Sequence, residues 1–165
     1  MKLTIVTPHG PSSATGNFTT ARRISWLLKD TAVKCKVVEQ WNGEACDTLL
    51  AIHAEKSGRS IDSFASQCPG QPIIVLLAGT DIYQRKLSRR CLKSLDLADR
   101  LVALQPLAAQ QLPARLRRKT LTIYQAARAP EKPAPPMASA FEVCVVSNLR
   151  YVKDPLRTAL AIRDI

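Results

Sequence analysis

The chain has 165 residues, 46% of them hydrophobic, enough for one packed core and too apolar for a disordered polymer. Its 24 lysines and arginines against 13 acidic residues give a formal net charge of +11, which suits an anionic partner such as a nucleotide, a phosphorylated small molecule, nucleic acid or a lipid surface. Aromatic residues at 5% offer few stacking platforms, which disfavours nucleic acid, and five cysteines at irregular spacing with only two histidines argue against a zinc site or a secreted disulfide framework.

In chain order, LTIVTP (3–8) is a short apolar run ending in a turn, and NFTTARRISWLLKD (17–30) carries Phe18, Ala21, Ile24 and Leu28 at helical spacing. KCKVVEQ (34–40) and DTLLAIH (47–53) follow as strands, and SGRSIDSFASQCPG (57–70) as a helix stopped by Pro69 and Gly70. PIIVLLAG (72–79) is a continuous apolar strand of the kind buried on both faces of a parallel sheet. SRRCLKSLDLADR (88–100) reads as a helix, LVALQ (101–105) as a strand, PLAAQQLP (106–113) as a short helix and KTLTIYQ (119–125) as the last strand of this set. Alternating strands and helices predict an α/β fold, a Rossmann-like doubly wound parallel sheet over residues 1–125, with helices on both faces.

Residues 126–140 carry four prolines and form an expected extended linker. The last 25 residues, FEVCVVSNLRYVKDPLRTALAIRDI, then open a new strand and helix, expected as the start of a second domain that the chain does not complete. The strand at 141–147 would expose Phe141, Val143, Val145 and Val146, so it is expected to join its own sheet or to pair with another chain in a homodimer. The N-terminus enters a strand directly and no apolar run reaches bilayer length, which points to a cytoplasmic protein.

In a doubly wound sheet, ligands bind beyond the carboxyl ends of the strands. The loop HGPSSATGN (9–17) leads into a helix, where free backbone N–H groups and the helix dipole favour an anion. Thr15, Gly16 and Asn17 are its candidate phosphate ligands, with Gly10 and Gly16 permitting close backbone approach; the other reading is a plain N-capped turn. His53, Thr80, Asp81 and Gln105 also finish strands and are candidates for a cleft that holds sugar hydroxyls, or else ordinary caps and structural polar groups.

Together, the TGN, LLAGTDIY, LADRLVALQPLA and LRYVKDP segments, in this order and spread over nearly the whole chain, resemble the GT-B glycosyltransferases that include selenosugar synthase of selenoneine biosynthesis. The resemblance implies two Rossmann-like domains facing a cleft, a UDP-sugar donor held mainly by the C-terminal domain, and transfer of N-acetylglucosamine to a small anionic acceptor, selenophosphate. It implies no metal and no cofactor besides the nucleotide sugar as co-substrate, and it assigns no catalytic nucleophile or base. SNLRYVKDP lies where broader GT-B enzymes grip the donor diphosphate with an arginine and a lysine. Lys153 matches the lysine, Asn148 replaces the arginine, and Arg150 is the expected substitute. With the rest of the donor domain missing, the chain alone is expected to show negligible transfer.

A second class of function remains open. The basic clusters RKLSRRCLK (85–93) and ARLRRK (114–119) also suit a non-catalytic module that recruits nucleic acid, an acidic protein or, by peripheral attachment, a membrane surface. Clustering of Arg85, Arg89, Lys93, Arg117 and Arg118 on one exposed face would favour it.

Overall fold

A computed structural model describes every residue except Pro11, Ala14, Arg128, Pro130, Pro133, Ala134, Pro136, Asn148, Arg150, Asp164 and Ile165, and gives Val152 without its side chain. The chain divides into two compact units, Met1–Ala126 and Ala127–Ile165. In the first, strands β1 (Lys2–Val6), β2 (Lys34–Val38), β3 (Thr48–Ile52), β4 (Ile73–Leu76), β5 (Arg100–Ala103) and β6 (Thr120–Thr122) form one sheet. Every adjacent pair is parallel, in the order β2-β1-β3-β4-β5-β6. The fold is therefore the expected α/β doubly wound class.

Helices lie on both faces because the central strands are apolar on both sides. In β3, Leu49 and Ala51 join one core while Leu50 and Ile52 join the other. In β4, Val75 and Leu76 divide in the same way. Helix α1 (Gly16–Leu27) covers one face with Ala21, Ile24 and Leu28. The opposite face receives α2 (Gly58–Gln67) through Ile61 and Phe64, α3 (Arg89–Leu97) through Cys91 and Leu95, and α4 (Ala114–Arg117) through Leu116. The lysines of β2 alternate with Cys35 and Val37, as suits an edge strand with one wet face.

Several boundaries differ from those read in the sequence, each for a local reason. Helix α3 stops at Leu97, because the Asp99 carboxylate accepts the Ile73 amide (2.7 Å) and turns the chain into β5 at Arg100. The segment 106–111 is a 3₁₀ helix capped by Gln105, whose side-chain oxygen accepts the Leu107 amide (2.8 Å). Strand β6 is only three residues long, and Gln125 beyond it is tied to α1 through Arg23 (3.3 Å) and Thr20 (3.1 Å). The expected helical cover is also incomplete on the α1 face. Beside α1, Leu50, Ile74, Val102, Leu104 and Ile123 line an apolar groove of about 540 Å³.

In the second unit the expected strand at 141–147 does not form: these residues are irregular, with Phe141 94% and Val146 92% exposed. An apolar run becomes a strand only where a neighbouring edge accepts its backbone hydrogen bonds, and composition alone does not supply that edge. A 3₁₀ turn (Tyr151–Lys153) and a short helix, α5 (Arg157–Ala161), follow. Among the described residues no helix is long and apolar enough to cross a membrane.

Candidate functional site

Strand order places the site. β1 is flanked by β2 and β3, and the helix that follows β1 lies on the face opposite the helix that follows β3. The carboxyl ends of β1 and β3 are therefore the topological switch point, where diverging connections leave a crevice. A crevice of about 260 Å³ opens there, walled by Pro8 and His9 after β1, Glu39 and Gln40 after β2, and Lys56, Arg59 and Ser60 at the start of α2.

The ends of the next two strands, β3 and β4, are organised by Asp81. Its carboxylate accepts the Ala54 amide (2.9 Å), just after β3, and the Ala78 amide (3.0 Å), just after β4, and the residue is only 1% exposed. The two strand ends are thus locked together by one side chain. Gly79 between them has φ +94°, a conformation that only glycine adopts without strain, and lets the turn place Asp81 inward and Thr80 outward.

His53 follows β3 with φ +74°, an uncommon value for a histidine, and is 3% exposed. Its Nδ1 accepts the Lys56 amide (3.3 Å), and Nε2 lies 3.1 Å from the Thr80 hydroxyl. Burial pushes its pKa below the usual value, against the smaller opposing pull of Asp81. Asp81 Oδ2 lies 3.9 Å from Nδ1 but already serves the Ala54 amide, so the pair is a neutral imidazole beside a hydrogen-bonded carboxylate rather than an ion pair. With Nδ1 as acceptor, Nε2–H donates to Thr80.

The sign of the pH effect follows. The unfolded chain takes up a proton at His53 near pH 6.5, which the folded chain refuses until a lower pH. Stability is therefore lost as pH falls below about 6.5, with a limiting slope of about 1.4 kcal/mol per pH unit from this one group. Chemical denaturation of wild type and His53→Asn at several pH values between 7 and 5 tests this, asparagine being chosen because it tolerates positive φ. The expected result is a shallower pH slope in the variant; identical slopes would mean that His53 titrates normally.

Cys91 lies on the other side of the same framework. Its thiol donates to the Asp81 carbonyl (3.3 Å), and burial first, then the charges of Asp81 and Glu55, push its pKa up to about 12. It is a packing residue, not a nucleophile. Among the described residues no group of three or more His, Cys, Asp or Glu side chains gathers where it could hold a metal ion.

The residues singled out in the sequence occupy different places in this arrangement. His53, Thr80 and Asp81 do come together, but Asp81 is buried structural polar chemistry and does not face the cleft. Thr80 is exposed and does not line the crevice. Gln105 lies on the neighbouring strand end, spent on capping and on a hydrogen bond to the Tyr83 hydroxyl. In the loop before α1, Thr15 is the N-cap, accepting the Phe18 amide at a long 3.5 Å, and the Ser13 hydroxyl donates to Gly10 (2.9 Å). A Cβ at Gly16 would meet nothing within 4 Å, so Gly16 and the half-buried Asn17 stand at an open helix start. At Gly10 the space a Cβ would fill is taken by the Glu39 carboxylate, so that glycine admits a side chain of the protein and not a ligand. Lys153 lies exposed in the 3₁₀ turn of the second unit, and Arg150 and Asn148 lie outside the described residues.

Sequence reading missed Lys56, Arg59 and Glu39. The first two stand three residues apart in HAEKSGRS, directly after a strand-end histidine, and that position was the available signal. The denser clusters dominate the charge pattern, but part of their charge is already engaged. Lys93 pairs with Asp62 (3.0 Å), and Arg117 donates to the carbonyls of Leu112 (2.9 Å) and Gln110 (3.1 Å).

No family model matches this chain, and no curated protein matches it either.

Proposed function

We propose that Met1–Ala126 is the acceptor-side domain of a GT-B glycosyltransferase of the kind that includes selenosugar synthase. The observation that carries the reading is the switch-point crevice: two cations with no ion-pair partner among the described residues, Lys56 and Arg59, line the place where a doubly wound sheet binds ligands. The TGN, GTDIY and LQPLA segments that carry the resemblance cluster at the carboxyl ends of β1, β4 and β5, the same edge of the sheet. On this reading the domain holds a small anionic acceptor while a second domain presents a UDP-sugar. His53, buried and neutral, accepts the Lys56 amide and so fixes the backbone of the segment from which the cations reach the acceptor. Departure of UDP develops negative charge, for which fixed cations are the appropriate environment.

Joining residues 1–140 to the nucleotide-sugar domain of a selenosugar synthase tests this proposal. With UDP-N-acetylglucosamine and selenophosphate supplied, the expected product is the selenosugar, followed by mass spectrometry. Lys56→Ala is expected to lower the rate at least about tenfold through loss of a charge-assisted contact. A folded chimera that binds the donor and forms no product would remove the assignment.

A further inference from the structure

We infer that the switch-point crevice receives the phosphoryl group of a small phosphate or phosphate monoester, gripped by Lys56 and Arg59 rather than by the β1–α1 loop. This rests on the reading that the crevice is the ligand site of the domain.

Four observations support it. First, the crevice of about 260 Å³ is smaller than the usual range for drug-sized ligands and matches a phosphate with a few attached atoms. Second, Lys56 and Arg59 are exposed and neither makes an ion pair among the described residues, whereas Lys36, Lys93 and Arg115 each have a carboxylate partner. Third, the segment carrying these cations is held from the inside. The Lys56 amide is bound to His53 Nδ1, and the Ser57 hydroxyl donates to the Ile52 carbonyl (2.7 Å), so the backbone is fixed while both cationic side chains are left to a ligand. Fourth, the β1–α1 loop spends the Ser13 and Thr15 hydroxyls on its own backbone, and Glu39 fills the space beside Gly10, so that, of this loop, the helix start at Gly16 and Asn17 stays open.

Glu39 also sets the ligand's size and polarity. It enters the crevice from the β2 side, while the cations enter from α2. A single phosphoryl group fits against Lys56 and Arg59 with its uncharged end toward Glu39 and Gln40, whose oxygens accept from hydroxyls. A second phosphate extending in that direction meets a like charge and is disfavoured.

The test is a titration of the full chain with sodium phosphate at constant ionic strength, read as amide NMR shifts. The expected result is saturable shifts at millimolar concentration centred on His9, Lys56, Arg59 and Ser60. Loss of either cation, in Lys56→Ala or Arg59→Ala, is expected to weaken binding at least about tenfold, while Arg89→Ala leaves it unchanged. Both cations are exposed, and an unchanged remainder of the spectrum verifies folding in each variant. Saturable shifts confined to Gly16, Asn17 and Phe18, shifts spread over the basic helices, or no saturation would each overturn the inference. Pyrophosphate binding more than tenfold tighter than phosphate would overturn the monoester assignment. Because no sugar donor is present, failure here leaves the transferase proposal to its own assay, and a chimera that binds phosphate but transfers nothing sinks only that proposal.

Discussion

Replacing Asp81 with alanine is expected to destabilise Met1–Ala126 by about 3–5 kcal/mol and to disorder the strand ends that carry His53 and Thr80. The carboxylate is 1% exposed and serves two backbone donors, Ala54 after β3 and Ala78 after β4. Alanine leaves both N–H groups without their acceptor, at about 1–3 kcal/mol for each buried donor, with hydrogen bonds to charged groups at the upper end. Water recovers part of the loss at half-buried Ala78 but little at fully buried Ala54. Against a total stability of about 5–15 kcal/mol, this approaches the limit of folding. Asp81→Asn is the milder probe: it retains one acceptor oxygen but turns the other position into a donor that faces an N–H group. Denaturant melts check both variants. A loss below 1 kcal/mol for alanine would mean that β3 and β4 are not coupled through this side chain.

Phe64→Ala is expected to cost about 3–5 kcal/mol, the usual loss for a large aromatic side chain in a packed core. Phe64 is fully buried on the inner face of α2 and meets Trp41 edge to face, with ring centroids 5.2 Å apart and planes at 81°. The aromatic contact adds its own share beyond burial. The consequence extends to the crevice, because Trp41 anchors the connection after β2. Its amide donates to Ser60 Oγ (3.1 Å) and its indole N–H to the Glu44 carbonyl (2.9 Å), holding the neighbouring Glu39 and Gln40 beside α2. The expected outcome is a lower denaturation midpoint with an unchanged denaturant slope, together with weaker phosphate binding. Full stability in the variant would contradict the packing described for this face.

The central strands were legible because β3 and β4 bury side chains on both faces, and such runs have few alternatives to a parallel sheet. Residues 141–147 show the limit of the same signal. FEVCVVS has the composition of a strand, yet strand formation depends on a neighbouring edge, and composition does not supply one. The candidate site was legible as a set of strand ends and not as a geometry. GTD after β4 announces a turn, but which of Thr80 and Asp81 faces inward depends on the positive φ of Gly79 and on the two amides waiting for the carboxylate. Lys56 and Arg59 were hidden by density, since RKLSRRCLK and ARLRRK carry more charge, and only the strand order shows which cations stand at the switch point.

The most direct measurement of the account is a selenophosphate titration of the isotope-labelled full chain, mapped by amide shifts at fixed ionic strength. The expected result is one saturable site whose shifts cluster on His9, Lys56, Arg59 and Ser60. Shifts that instead cluster around Arg89 and Arg118 on the basic helices, with the switch-point residues unmoved, would contradict it and favour the anionic-surface binding module.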